Sequence, residues 1–172
     1  MDRETIEKAK NIRLLVLDVD GVLTRGEIIY DDRGRQIKIF NVKDGLGVYL
    51  LRRSGIETVI LTARKSRLLK FRAREMGIKK IFSGFPKEKE FRKILRHYKI
   101  LPREICFVGD DIIDIKVAEQ VGFSVAVGDA VRELKEVCDY TTRNRGGEGA
   151  VREVVEIILK AKDLWHPFAY SG

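Results

Sequence analysis

An apolar run that ends in two carboxylates decides the fold of this chain: Ile12-Arg13-Leu14-Leu15-Val16-Leu17-Asp18-Val19-Asp20-Gly21-Val22-Leu23-Thr24. A short run of leucine and valine bounded by charged residues is typical of a strand that is buried on both faces of a parallel sheet. The segments 58–61 and 105–108 repeat this pattern, and 80–82 and 124–127 are shorter strand candidates.

Helical patterns lie between these strands. Phe91, Ile94, Leu95 and Tyr98 share one helix face, and the apolar residues of 151–159 repeat that spacing. Strands that alternate with helices predict an α/β, doubly wound, Rossmann-like parallel sheet.

One domain is expected over residues 1–172, with two irregular parts. The segment at about 27–41 breaks the alternation, and its glycine turn indicates a β-hairpin insertion. The C-terminal tail, about 162–172, has lost helical periodicity and is either frayed or docked on a neighbouring subunit.

Composition narrows the class of protein. The 172 residues are 44% hydrophobic, and no apolar run is long enough to span a bilayer. Cys106 and Cys138 are too few for a disulfide framework, so we interpret them as reduced packing residues of a cytoplasmic protein. The net charge of +8 leaves a nucleic-acid-binding protein as an alternative. Because the cations are spread among 26 acidic residues, a charged, solvated surface is favoured.

Asp18 and Asp20 stand at the carboxyl end of the first strand, the edge where open α/β sheets bind ligands. Residues i and i+2 of a strand point the same way, so the two carboxylates can converge, and a divalent cation would relieve their repulsion. Hard oxygen ligands favour Mg²⁺. An isolated Asp-x-Asp is more often a surface turn.

A second acidic cluster follows the predicted strand 105–108 and contains Asp110, Asp111 and Asp114. A helix N-cap needs only one carboxylate, so this cluster predicts the other half of a metal site. Two weaker signals are a threonine at a strand end, Thr62, and the lysines of the 84–89 turn. Alone, each fits a helix cap or an ordinary surface.

In this order, the four motifs resemble those of the haloacid dehalogenase superfamily of phosphotransferases. The resemblance implies an aspartyl-phosphate mechanism, with Asp18 as nucleophile and Asp20 as acid/base. Its other implied roles are phosphate binding by Thr62 and Lys87 (rather than Lys89), Mg²⁺ binding by Asp18, Asp110 and the Asp20 carbonyl, and support of the metal and the lysine by Asp111 and Asp114.

The gaps 19–61 and 63–86 leave no room for the cap domain that most members carry. The chain is therefore similar to the capless, tetrameric 3-deoxy-D-manno-octulosonate 8-phosphate (Kdo 8-phosphate) phosphatases of lipopolysaccharide inner-core synthesis. That resemblance implies that the glycine-rich segment 146–149 lies near the site and a subunit contact. It also implies that the sugar acid is held by Asn41, Val42, Lys43, Asp44, Gly45, Arg64 and Arg72.

Two positions depart from this subfamily. Ala63 stands where glycine is common, and Tyr49 lies near a position where some members have arginine. A phosphatase for nine-carbon ulosonic acid 9-phosphates remains an alternative, as does a catalytically silent protein of the same fold.

Overall fold

The computed structural model describes residues 3–166, so part of the predicted tail, 167–172, lies outside the described residues. The elements in chain order are α1 (Arg3–Lys10), β1 (Leu14–Leu17), β2 (Ile29–Tyr30), β3 (Gln36–Ile37), α2 (Val42–Arg53), β4 (Glu57–Thr62), α3 (Arg67–Glu75), β5 (Ile81–Ser83), α4 (Lys87–Tyr98), β6 (Ile105–Gly109), α5 (Ile115–Ala118), β7 (Phe123–Ala126), α6 (Arg132–Val137), β8 (Tyr140–Thr141) and α7 (Ala150–Ala161). Short 3₁₀ helices span Pro102–Glu104 and Ile112–Asp114.

Six strands form one parallel sheet in the order β5-β4-β1-β6-β7-β8. The chain moves from β1 through β4 to β5 and then returns to the other side of β1 as β6. Strand order therefore reverses between β1 and β6, and a crevice opens at such a switch point beyond the carboxyl ends of the strands. Both acidic motifs leave the sheet at this crevice.

Helices cover both faces of the sheet. One group of helices consists of α7 packed against α2 and α1. In a second group, α5 contacts both α4 and α6. All residues of β1, β6 and β7 are buried, which explains their continuous apolar sequences. The doubly wound fold predicted from the sequence is confirmed. No helix within residues 3–166 has both the length and the apolar character needed to cross a membrane.

The predicted strands are shifted by one or two residues. Elements that the sequence did not predict include the N-terminal helix α1, the short helix α6 and the two-residue edge strand β8. The hairpin is present as β2 and β3 around Gly34, which has a positive φ. The predicted hairpin is longer than the paired part, since Asn41 is already the N-cap of α2.

The described part of the tail packs on its own chain. Leu164 and Trp165 are half-buried against the core. The guanidinium of Arg152 lies 5.1 Å from the Trp165 ring centroid, and the Lys160 ammonium lies 5.3 Å from it. Within residues 162–166, Leu164 and Trp165 therefore pack on the core of their own chain, whereas Asp163 and His166 are exposed.

Candidate active site

A cavity of about 210 Å³ opens at the switch point of the sheet. It brings together seven residues that the sequence predicted for the site: Asp18, Asp20, Thr62, Arg64, Lys87, Asp110 and Asp111. It is also lined by Ala63, already noted as a departure from the subfamily, and by three residues that the sequence did not predict: Gly26 and Ile28, around the start of the hairpin insertion, and Ile113 after β6.

A buried lysine links the two acidic motifs from below. Lys87, the first residue of α4, is fully buried, and its Nζ lies 2.9 Å from Asp18 Oδ1 and 2.5 Å from Asp114 Oδ1. Burial alone would lower the pKa of Lys87, but the carboxylates of Asp18 and Asp114 reverse this and raise it. Lys89 is exposed, so Lys87 is the lysine that the fold brings to the site.

Asp114 supports the loop that carries the second motif. Its Oδ2 accepts hydrogen bonds from the amides of Asp110 at 3.0 Å and Asp111 at 3.4 Å. Both of its oxygens are therefore engaged by protein donors. Asp111 is exposed and its Oδ1 accepts from the amide of Ile112 at 2.7 Å, so it caps the short 3₁₀ helix.

Three carboxylates of the two acidic motifs lie so close together that a cation would relieve their repulsion. Oxygens of Asp18, Asp110 and Asp114 all lie within 4.8 Å of one another. Burial, together with the charges of Asp18 and Asp114, raises the pKa of Asp110 to about 8. Burial also raises the pKa of Asp18 to about 6, against the influence of Lys87. Because Lys87 does not compensate all three charges, the donor set fits a hard divalent ion held by Asp18 and Asp110.

A glycine in the loop after β1 leaves space for the Asp110 carboxylate. Gly21 has φ +92°, and a Cβ there would lie 2.0 Å from Asp110 Oδ2. On the other side of β1, the hydroxyl of Thr62 is buried at the end of β4 and accepts a hydrogen bond from the amide of Arg64 at 3.3 Å. The Thr62 hydroxyl thus lies at a strand end opposite the acidic motifs.

Asp20 has a partner that the sequence did not predict. The Lys38 ammonium, delivered by the residue after β3, forms an ion pair with Asp20 Oδ1. The alternation of the hairpin sequence places Lys38 on the same side as Gln36, which could have indicated its direction but not its partner.

Comparison with known proteins identifies the family. Residues 80–154 match the haloacid dehalogenase-like hydrolase family. The 3-deoxy-D-manno-octulosonate 8-phosphate phosphatase of Escherichia coli K12 is 45% identical over 160 residues, which cover 92% of this chain and 85% of the relative. The chain belongs to the 3-deoxy-D-manno-octulosonate 8-phosphate phosphatase family.

Two solved structures of this family have the same fold. The phosphatase of Moraxella catarrhalis, in complex with magnesium, phosphate and Kdo, has a TM-score of 0.95 and 38% identity, with 99% of each chain covered. The cobalt-bound phosphatase of Haemophilus influenzae has a TM-score of 0.87 and 36% identity, with 91% of this chain and 92% of that chain covered. The family resemblance inferred from the motifs is therefore confirmed.

The segment Asn41–Gly45, by contrast, lies outside the cavity. Asn41 caps α2 by accepting from the amide of Lys43 at 2.8 Å, and its Nδ2 donates to the Gly147 carbonyl at 3.2 Å. Val42 is 79% exposed, and Lys43 is exposed as well. Within one chain, none of the residues of this segment lines the cavity.

Arg72 contacts the segment Asn41–Gly45, whereas Arg64 lines the cavity. The Nη2 of Arg72 donates to the Asn41 carbonyl at 2.9 Å, and the Arg72 guanidinium lies 5.7 Å from the Phe40 ring centroid. A Cβ on Gly45 would lie 2.4 Å from that Nη2, so the glycine allows the close approach. Arg72 therefore fixes the start of α2 in this chain.

Asp44 is a buried helix cap for α7. Only 1% of the residue is exposed, and its Oδ1 accepts from the amide of Arg152 at 2.8 Å. Burial raises the pKa of Asp44, and hydrogen bonds from the amides of Arg152, Gly149 and Val151 offset part of that rise. These contacts give Asp44 a structural role that the sequence did not predict.

The glycine-rich segment 146–149 presses against the loop after β1. Gly147 donates its amide to the Val22 carbonyl at 2.8 Å, and a Cβ on Gly146 would lie 1.6 Å from the Gly21 carbonyl oxygen. Asp129 holds the segment by accepting from the Gly146 amide at 2.8 Å. The predicted closeness of this segment to the site agrees with these contacts.

Proposed function

We propose that this protein is a Mg²⁺-dependent phosphatase that hydrolyses Kdo 8-phosphate, in the synthesis of the lipopolysaccharide inner core. The observation that carries the chemistry is the buried Lys87 between Asp18 and Asp114, beside Asp110, at the ends of β1 and β6. Family membership at 45% identity over most of the chain supports the substrate.

Asp18 is the proposed nucleophile. Its Oδ1 is fixed by Lys87, which leaves the second carboxylate oxygen to attack phosphorus from the floor of the cavity. The Lys87 ammonium and the amides near Thr62 can stabilise the phosphoryl oxygens as charge moves onto them. When bound by Asp18 and Asp110, Mg²⁺ would supply positive charge that offsets carboxylate–phosphate repulsion.

Asp20 is the proposed general acid and base. It lines the cavity two residues after the nucleophile, and 31% of its side chain is exposed. In the first half of the reaction it donates a proton to the sugar oxygen as the P–O bond breaks. In the second half it accepts a proton from the water that hydrolyses the aspartyl phosphate, which regenerates both carboxyl groups.

Phosphate release from a panel of substrates, with and without Mg²⁺, tests this proposal. Kdo 8-phosphate should have the highest kcat/KM among Kdo 8-phosphate, a nine-carbon ulosonic acid 9-phosphate, hexose 6-phosphates and p-nitrophenyl phosphate. A higher kcat/KM for the nine-carbon ester would show that the proposed substrate is wrong but would leave the proposed phosphatase mechanism unchanged. Hydrolysis of none of them, or hydrolysis unchanged by excess chelator, would overturn the proposal.

Association of subunits would complete the site. The cavity has no cap above it, and the substrate segment Asn41–Gly45 lies outside it, so we include a cytoplasmic tetramer in the proposal. Four apolar side chains of the hairpin are 46–63% exposed and can bury one another between subunits. They are Ile28, Tyr30, Ile37 and Ile39.

A further inference from the structure

The ion pair between Lys38 and Asp20 joins the hairpin to the proposed acid/base residue. Lys38 directly follows β3, and only 5% of its side chain is exposed. Across residues 3–166, neither residue has another ion-pair partner. A buried ammonium that has one carboxylate partner is costly to separate from it, so the two side chains hold each other in place.

Lys38 contacts Asp20 from outside the cavity. Asp20 lines the cavity, whereas Lys38 is not among the lining residues. Asp20 is therefore the member of the pair that borders the cavity, and the route from Lys38 to a bound substrate runs through its carboxylate.

The backbone beside Asp20 is already fixed by its own loop. The Thr24 hydroxyl accepts from the amides of Gly21 at 3.4 Å and Gly26 at 3.2 Å. The amides of Val22, Leu23 and Thr24 donate to the Val19 carbonyl at 2.9–3.2 Å. The remaining freedom at Asp20 is rotation of its side chain, and that is what the Lys38 contact restricts.

From this geometry we infer that Lys38 is a positioning residue for the phosphatase reaction. Lys38 contacts Oδ1 of Asp20 and holds the group so that Oδ2, which carries the proton at this step, points to the leaving oxygen. The proton passes from Oδ2 to that oxygen while Asp18 bonds to phosphorus and the P–O bond breaks. The inference rests on the proposed role of Asp20 but not on the identity of the sugar. The hairpin would then have two roles: besides the proposed association of subunits, it carries Lys38, the cation that orients Asp20.

Substrates with different leaving groups can distinguish a positioning role of Lys38 from a purely structural one. A sugar alkoxide needs a proton as it departs, whereas p-nitrophenolate leaves as a stable anion. Because kcat/KM reports the steps up to that departure, K38M should lower kcat/KM for Kdo 8-phosphate by about 10- to 100-fold. For p-nitrophenyl phosphate the loss should stay within about threefold. K38R should recover much of the difference, because it restores a cation to the site.

An equal loss on both substrates, or no loss on either, would overturn the inference. The double variant D20N/K38M gives a second check, since K38M should cause no further loss once Asp20 is gone. Further loss in that background would mean that Lys38 acts elsewhere.

A crystal structure of K38M tests the role of Lys38 without measuring activity, so its result does not depend on which substrate the enzyme hydrolyses. Asp20 should adopt a different rotamer or several rotamers, and retention of the wild-type orientation would contradict the role. If the wild-type enzyme failed to hydrolyse Kdo 8-phosphate, the proposed substrate would be wrong. The Asp20 rotamer in K38M would still decide the role of Lys38.

Discussion

The Lys87 ammonium lies 2.5 Å from Asp114 Oδ1, and neither side chain is exposed to solvent. Both charges were removed from water on folding, so each depends on the other for compensation. Asp114 in turn anchors the amides of Asp110 and Asp111, and Lys87 forms an ion pair with Asp18, the proposed nucleophile. The pair therefore connects the ends of β1, α4 and β6, which the sequence separates by many residues.

Replacing Lys87 with methionine should destabilise the metal-free protein by about 3–5 kcal/mol, because buried carboxylates lose their counter-charge. Denaturant unfolding monitored by circular dichroism measures this. K89M is the matched control, since Lys89 is exposed on the same helix and its loss should change stability by less than about 0.5 kcal/mol. Equal stability of the two variants would show that the buried pair contributes nothing to the fold.

Replacing Asp18 with asparagine should lower kcat by several orders of magnitude, because the amide cannot form the acyl phosphate. The fold should remain, since the substitution removes one of the crowded carboxylates. Steady-state phosphate release and circular dichroism provide the two measurements. D32N, in the exposed turn of the hairpin, is the control and should keep wild-type activity. A folded D18N protein that retained a tenth of wild-type activity would exclude Asp18 as nucleophile.

The stability of the metal-free protein should fall as pH rises from about 4 to about 8. Asp110 has a pKa of about 8 in the folded protein against 3.8 as its ordinary value, so over this range the folded state binds more protons than the unfolded state. Asp18 adds to the slope up to about pH 6. Added Mg²⁺ should oppose the trend, because its ligands must be deprotonated.

Thermal unfolding across this pH range, with chelator or with Mg²⁺, measures the effect. D110N should flatten the pH dependence of Tm in chelator and should remove most of the stabilisation by Mg²⁺. If wild type and D110N had the same slope in chelator, the raised pKa of Asp110 would be wrong. If Mg²⁺ raised the Tm of both equally, Asp110 would not be a ligand.

Replacing Asp44 with alanine should destabilise the protein by about 1–3 kcal/mol, because the amides that begin α7 lose a buried acceptor. D44N keeps an oxygen in place and should lose less. Unfolding free energies and KM for Kdo 8-phosphate are the two measurements. A raised KM at unchanged stability would instead support the substrate contact that the family resemblance implied for Asp44.

The parts of the fold that the sequence predicted are those with a strong periodic signal. β1 and β6 are buried on both faces and have continuous apolar sequences, and the apolar residues of α7 recur at helical spacing. The edge strand β8 consists of two residues, Tyr140 and Thr141, and within residues 3–166 it pairs with β7 alone. So short a segment has no alternation to detect, and its strand state depends on its neighbour.

The site was predictable where residues follow strand ends and not where contacts are distant in sequence. Asp18 and Asp110 were found because adjacent parallel strands deliver them to one edge. The pairing of Lys38 with Asp20 depends on how the hairpin folds back, and the capping of α7 by Asp44 depends on the packing of α2 against α7. Nothing local distinguishes these side chains from a surface lysine or an ordinary first-turn aspartate.

The exposed apolar side chains of the hairpin lead to a prediction about assembly. Tyr30 is 63% exposed, and burying it between subunits would stabilise association through its apolar area. Y30D should therefore shift the protein to smaller species in sedimentation at low concentration, because it places a charge in the contact. L101D is the matched control, since Leu101 is 50% exposed in the loop before β6. This variant should sediment like the wild type.

Dissociation should also affect selection of the substrate, since a separate subunit leaves the cavity open to water and apart from Asn41–Gly45. For Y30D, kcat/KM for Kdo 8-phosphate should fall at least about tenfold more than kcat/KM for p-nitrophenyl phosphate, because only the sugar acid uses contacts beyond the phosphate. A wild-type protein that sediments as a monomer and still discriminates between these substrates would refute closure by a neighbour. In that case the chemistry at Asp18 would stand, and specificity would have to arise from residues of one chain, with Arg64 and Ile28 at the cavity wall as the first to test.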